Sequence, residues 1–343
     1  MPQLTKSKRT RITLGGITAA AWEHPADRTA LKALQSIPAI DMVLKTILSP
    51  TLEKSMRLST LASSVRVSPK QFGKIHELHL EACKILDLQK IPELYISQNP
   101  VVNAYAIGWN EPFIVLNSAI IQTLNSEDEI LAVIGHELGH IKSGHVLYNT
   151  VLHLLVMLSQ YSLQIPLTGL ALEALILGLR EWSRKSELSA DRAEALTIQE
   201  PDVVIRSLMK LTGGNMLDEM DLGEFIKQAE EYQQLNSITD SIHKTLNTVY
   251  LTHPFPVMRV MELINWVRSG EYDSILSGNY KNQQKTHFDN VKETAKNYQK
   301  DFEQNFAPNF SENFSQNMKP VEDVVDEIAK RAKEVFDSFN KKK

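Results

Sequence analysis

Cysteine is all but missing: Cys83 is the single one in 343 residues. Internal disulfides are thereby excluded, a CxxC metal centre cannot form, and the composition suits a reducing compartment. Cys83 itself reads as a core residue. Positive charge is not in excess either. With 37 Lys and Arg against 41 Asp and Glu, the net charge is −4, which argues against nucleic acid as a general partner. A secretory signal is lacking as well. The stretch LGGITAAA after the basic start is short and glycine-broken, and no convincing cleavage site follows. The N-terminus therefore reads as mature protein, with a cytoplasmic location expected. What remains is ordinary globular composition, 43% hydrophobic and 23% charged, in a chain long enough to bury a substantial core.

Between Val146 and Leu172 no Asp, Glu, Lys or Arg occurs. The run approaches the length of a membrane span, yet Asn149, His153, Gln160, Gln164 and Thr168 dilute it and Pro166 interrupts it. After Pro166 too little apolar chain remains for a second crossing before Arg180. A packed helical hairpin is expected, with docking on a membrane surface as the next arrangement.

Helical spacing dominates elsewhere. Asp27 can cap a helix through DRTALKALQS that ends near Pro38. Ser68-Pro69 predicts another helix start, followed by an apolar face through Phe72, Ile75, His79, Ala82, Ile85 and Leu86. His76 and His79 read as plain helix residues. ELYIS (93–97), NAYAIGW (103–109) and FIVLN (113–117) are predicted strands between Pro and Asn breaks. The fold class is thus mainly α with a small β-sheet. Three regions are expected: an N-terminal helical extension (1–64), a central domain (65–278) with the hydrophobic insertion at 146–180, and a tail (279–343). In that tail Phe288, Val291, Ala295, Tyr298 and Phe302 follow a coiled-coil spacing, and Val321 to Phe339 form an amphipathic helix.

The chemistry is concentrated in AVIGHELGHIKSGH (132–145). Ser126 and Glu129 form a capping box for its helix, in which residues four apart stand about 40° apart in rotation. His136 and His140 can therefore hold one Zn²⁺, with Glu137 in reach of the reacting water. A third protein ligand is needed. His145 lies about 140° around the helix from His140 and is rejected. Glu187, four before Asp191 on the next charged helix, is the better candidate, with Asp191 receiving the other ring N–H of a ligand histidine.

HELGH, the later ELSAD, NAYA (103–106) and THPFPVMR (252–259) together resemble the zinc peptidase family of HtpX and the CAAX prenyl endopeptidases, over roughly residues 65–270. The tail has no counterpart in that resemblance. It implies a zincin-like domain with one Zn²⁺ per chain that hydrolyses protein or peptide substrates, Glu137 acting as general base. The resemblance also puts His253 near the active site to stabilise the oxyanion, helped by Arg259, with Tyr250 as the weaker alternative. NAYA would be an edge strand beside the cleft, making Asn103 and Ala104 substrate-binding candidates. Two other readings stand beside the enzyme: a metal-stabilised scaffold acting through its tail, and a tail that delivers the protein to lipid. Glu137 discriminates for the enzyme, because a purely structural metal site gains nothing from a base.

Overall fold

A computed structural model describes residues 10–35, 50–161, 166–214, 216–235 and 253–281. Tyr250 and the predicted seam and helix beyond residue 282 lie outside them. In chain order the helices are α1 (Pro25–Gln35), α2 (Pro50–Ser63), α3 (Gly73–Ile85), α4 (Ser118–Thr123), α5 (Glu127–Lys142) and α6 (His145–Tyr161). After them come α7 (Pro166–Ile198), α8 (Pro201–Gly213), α9 (Leu222–Gln234), α10 (Pro256–Arg268) and α11 (Glu271–Leu276). The strands are β1 (Ser64–Arg66), β2 (Leu94–Ser97), β3 (Ala104–Ile107) and β4 (Phe113–Asn117). The fold is mainly α with one small sheet.

The sheet runs β1-β2-β4-β3, with β2 and β4 parallel and both outer pairs antiparallel. Its period-2 pattern sends Leu94, Ile96, Ala104, Ile114 and Leu116 into the main core, while Tyr95, Phe113 and Val115 pack on the opposite face. β3 is an edge, its register with β4 running from Ala104 opposite Leu116 to Ile107 opposite Phe113. β1 was not legible: SVR is too short to show an alternation.

α5 lies at the centre, and from Glu127 to His140 nearly every residue is buried. Its start is as predicted. The Ser126 hydroxyl accepts from the Glu129 amide, and the Glu129 carboxylate accepts from the Ser126 amide. Two other helix starts differ from expectation. Ser68 and Pro69 form a turn in which the Ser68 hydroxyl accepts from the Gln71 amide, and α3 begins only at Gly73 after Phe72 takes a left-handed φ of 56°. α1 begins at Pro25, so Asp27 sits inside its first turn and is buried, instead of capping the helix. α8 stops at Gly213-Gly214, Gly214 having φ 87°.

α6 packs along α7. Tyr148, Val151, Leu152 and Leu155 meet Leu175, Ile176, Leu179 and Trp182, with Leu34 of α1 joining this second core. Among the described residues no helix is long and apolar enough to cross a membrane. The N-terminal residues belong to the main core as well: Leu14, Ile17 and Trp22 are almost fully buried in it.

Candidate active site

The site is built where α5 crosses α7. A Cβ on Gly135 would stand 2.5 Å from the Thr197 side chain, and one on Gly139 2.6 Å from the Ala193 Cβ. Glycine is therefore required at both positions for the helices to approach this closely. On α5, His136 and His140 share a face; on α7, Glu187, Asp191 and Glu194 share one through i, i+4, i+7 spacing. All five side chains are buried.

His136 Nε2 lies 3.2 Å from His140 Nε2. Glu187 faces both nitrogens, with Oε2 3.3 Å from His136 Nε2 and Oε1 3.2 Å from His140 Nε2. Glu187 Oε2 is buried and accepts no hydrogen bond of acceptable geometry. Two facing imidazole nitrogens beside an orphaned carboxylate oxygen form a donor set that fits a cation. The residues present thus suit a metal ion, held by His136, His140 and Glu187.

The outer ring nitrogens are held in two different ways. His136 Nδ1 is 3.3 Å from Asp191 Oδ1 and 3.2 Å from Glu194 Oε2. Arg259 grips Asp191 through both carboxylate oxygens, its Nε donating to Oδ2 at 2.8 Å, and its Nη1 stands 3.6 Å from Glu187 Oε2. The guanidinium, which also lines the cavity, thus pairs with a buried carboxylate. His140 Nδ1 lies 3.0 Å from His145 Nδ1. The rotation argument that removed His145 assumed one continuous helix. Ser143 and Gly144 break it, Gly144 with φ 73°, so α6 restarts at His145 and turns that ring back toward His140.

Electrostatics follow from burial. Burial pushes the Glu137 carboxyl up to about 7, with Glu187 and Glu194 adding to the rise, while His136 and the Ala106 amide oppose it. His140 falls to about 4, chiefly by burial and helped by the neighbouring His136 and His145. Burial would also lower His136, yet Asp191, Glu187 and Glu194 raise it well above the usual imidazole range. Glu187 is held well below the carboxylate range against its burial by His253 and the two imidazoles. The pattern favours positive charge between the rings, the place a cation would fill.

Beside this centre lies a cavity of about 230 Å³. Asn103 and Ala104 line it from the β3 side, Leu208 and Leu211 from α8, and Glu137 and His253 from the centre. The His253 side chain is half exposed, with Nε2 3.8 Å from Glu187 Oε2. Glu194 was missed in the sequence although its i+7 spacing from Glu187 was there to find. The contact of Asp27 with His145, at 2.9 Å, had no local signal at all.

A model of Peptidase family M48 matches residues 69–267. The plastoglobule-localized metallopeptidase 48, chloroplastic, of Arabidopsis thaliana is 37% identical over 266 residues, covering 76% of either chain. A protease HtpX homolog of Helicobacter acinonychis is 28% identical over 222 residues, 58% of this chain and 68% of that protein. Another from Helicobacter pylori (strain Shi470) is 41% identical over 88 residues, 25% of this chain and 28% of its own. No solved structure matches the chain.

Proposed function

The chain belongs to peptidase family M48, and from that premise we propose that it is a zinc-dependent endopeptidase using Glu137 as its general base. The observation that carries the metal assignment is the donor set: the two Nε2 atoms 3.2 Å apart, with Glu187 Oε2 3.3 Å from His136 Nε2 and Glu187 Oε1 3.2 Å from His140 Nε2. Bonds of about 2.0–2.1 Å in a tetrahedron require donor separations of roughly 3.3 Å, which is the spacing zinc takes with histidine and carboxylate ligands. His136, His140 and Glu187 would hold one ion beside the cavity.

When bound, zinc supplies Lewis acidity, polarising the scissile carbonyl and bringing the pKa of water to about 7. Glu137, next to a ligand but outside the donor set, takes the water proton and passes it to the leaving nitrogen. His253 at the cavity mouth donates to the developing oxyanion. Arg259 holds Asp191, and Asp191 with Glu194 orients the His136 ring. An extended substrate pairs with the edge of β3 beside Asn103 and Ala104, a backbone contact tolerant of sequence.

For location, we propose that the α6–α7 hairpin stays packed against α1 outside any bilayer. The Arabidopsis relative is named as chloroplastic and plastoglobule-localized, so docking at such a surface is the second arrangement, and vesicle flotation tests it. The scaffold reading is disfavoured by the buried Glu137 beside the donors. Digestion of a casein-type substrate by wild type and Glu137→Gln tests the function. The variant keeps fold and zinc but loses roughly 10²–10⁴-fold in rate; wild-type turnover in the variant removes Glu137 as base.

A further inference from the structure

Asp27 lies before the residues matched to the family, yet its carboxylate reaches the donor set through one intervening ring. His145 Nε2 is 2.9 Å from Asp27 Oδ2, and His145 Nδ1 is 3.0 Å from His140 Nδ1. Asp27 and His145 are each about 2% exposed, so water does not compete for these bonds. Trp182 Nε1 donates to Asp27 Oδ1 at 3.1 Å, and the Ser189 hydroxyl donates to Oδ2 at 2.6 Å. The Trp182 ring stands edge-on to His145 with centroids 5.7 Å apart, fixing the imidazole plane from the side.

With a cation on His140 Nε2 and Asp27 ionised, the hydrogens in this chain have one consistent arrangement. An ionised carboxylate has none to give, so His145 Nε2 must donate to Asp27. Cation binding needs the lone pair of His140 on Nε2, which puts its hydrogen on Nδ1 and makes His145 Nδ1 the acceptor. In this arrangement Asp27, through His145, holds the hydrogen of His140 on Nδ1 and leaves the Nε2 lone pair aimed at His136 and Glu187.

We propose that Asp27 is a positioning residue for the metal centre: acting through His145, it locks His140 in the tautomer and orientation that bind the cation. The inference rests on the zinc-binding reading above. His136 is oriented directly by Asp191 and Glu194, whereas His140 is oriented by a carboxylate from α1, an element outside the family match. Docking of residues 25–35 onto α7 thereby completes the metal site as well as covering a helix. Asparagine at position 27 presents an amide N–H as readily as an oxygen. It no longer dictates which His145 nitrogen carries the hydrogen, and the relay can reverse.

The test is zinc affinity of the full chain by competition with a chromophoric chelator, with melting temperature read with and without zinc. Asp27→Asn is expected to weaken zinc binding about tenfold or more. It also shrinks the zinc-induced rise in melting temperature, which a purely structural staple would leave intact. Ser189→Ala removes a different Asp27 contact and should keep wild-type affinity. Should Asp27→Asn fail to fold, a second pair reads the same relay. His145→Gln offers an amide oxygen and nitrogen in place of the ring nitrogens and keeps affinity near wild type, whereas His145→Leu loses it. Wild-type affinity in Asp27→Asn or His145→Leu overturns the proposal, as does equal weakening in His145→Gln and His145→Leu. Absence of zinc binding in wild type overturns the enzyme assignment, and this inference with it.

Discussion

Gly139 and Ala193 touch so closely that a Cβ on the glycine would come within 2.6 Å of the alanine Cβ. This contact brings the helix of the two histidines against the helix of the three carboxylates. Gly139→Ala is expected to destabilise the protein by about 1–3 kcal/mol through overpacking, despite the better helix propensity of alanine. Adding Ala193→Gly should recover part of the loss. Denaturant unfolding of the two single variants and the double variant measures the coupling, and strict additivity removes the contact as the cause.

Among the described residues, Glu187 is the one carboxylate that faces both inner ring nitrogens. Removing it by Glu187→Ala should lower zinc affinity by well over tenfold, since a direct ligand matters more than a group acting through one. Chelator competition reads this directly. Unchanged affinity would take Glu187 out of the ligand set.

Lys210 of α8 is about 1% exposed, with Nζ 2.6 Å from Glu129 Oε1 and 2.8 Å from Asn125 Oδ1. The pair ties α8, a wall of the cavity, to the capping box of α5. Lys210→Met leaves the Glu129 charge buried and unpaired, at a cost of about 3–5 kcal/mol. Combining it with Glu129→Gln should restore much of that, as read from denaturation midpoints. A loss below 1 kcal/mol in Lys210→Met contradicts the assignment.

Glu53 Oε1 accepts from the amides of Trp109, Asn110 and Glu111 at 2.8, 2.8 and 3.1 Å, and Oε2 accepts from Asn110 Nδ2 at 2.8 Å. Burial alone would raise its pKa, but these donors bring it below the ordinary carboxylate value. A depressed folded-state pKa stabilises the protein above the unfolded value, and that stability is lost as pH falls through the folded one. Glu53→Gln should therefore melt below wild type at neutral pH, with the gap narrowing under acid below about pH 4. A gap independent of pH contradicts this role.

Much of the site was legible because its parts are short and local. HELGH and ELSAD each place their side chains on one helical face within a single turn, and the Ser126–Glu129 capping box marks its own helix. The mixed sheet was legible in three strands and missed in β1, whose three residues carry no period. The helix starts at Ser68 and Asp27 were misplaced for a common reason. Both side chains found hydrogen-bond partners other than the first helical amides: Gln71 for Ser68, and His145, Ser189 and Trp182 for Asp27. Arg259 lines the cavity and also holds Asp191, a pairing that local spacing does not announce. Contacts spanning more than a hundred residues leave no trace in local spacing.

X-ray absorption at the zinc edge of the loaded wild type and Glu137→Gln bears most directly on the whole account. Both proteins should show one four-coordinate zinc with two imidazole nitrogens and oxygen ligands at about 2.0–2.1 Å. A shell that changes with Glu137→Gln, or one lacking the imidazole pair, would contradict the division of labour between three ligands and a separate base.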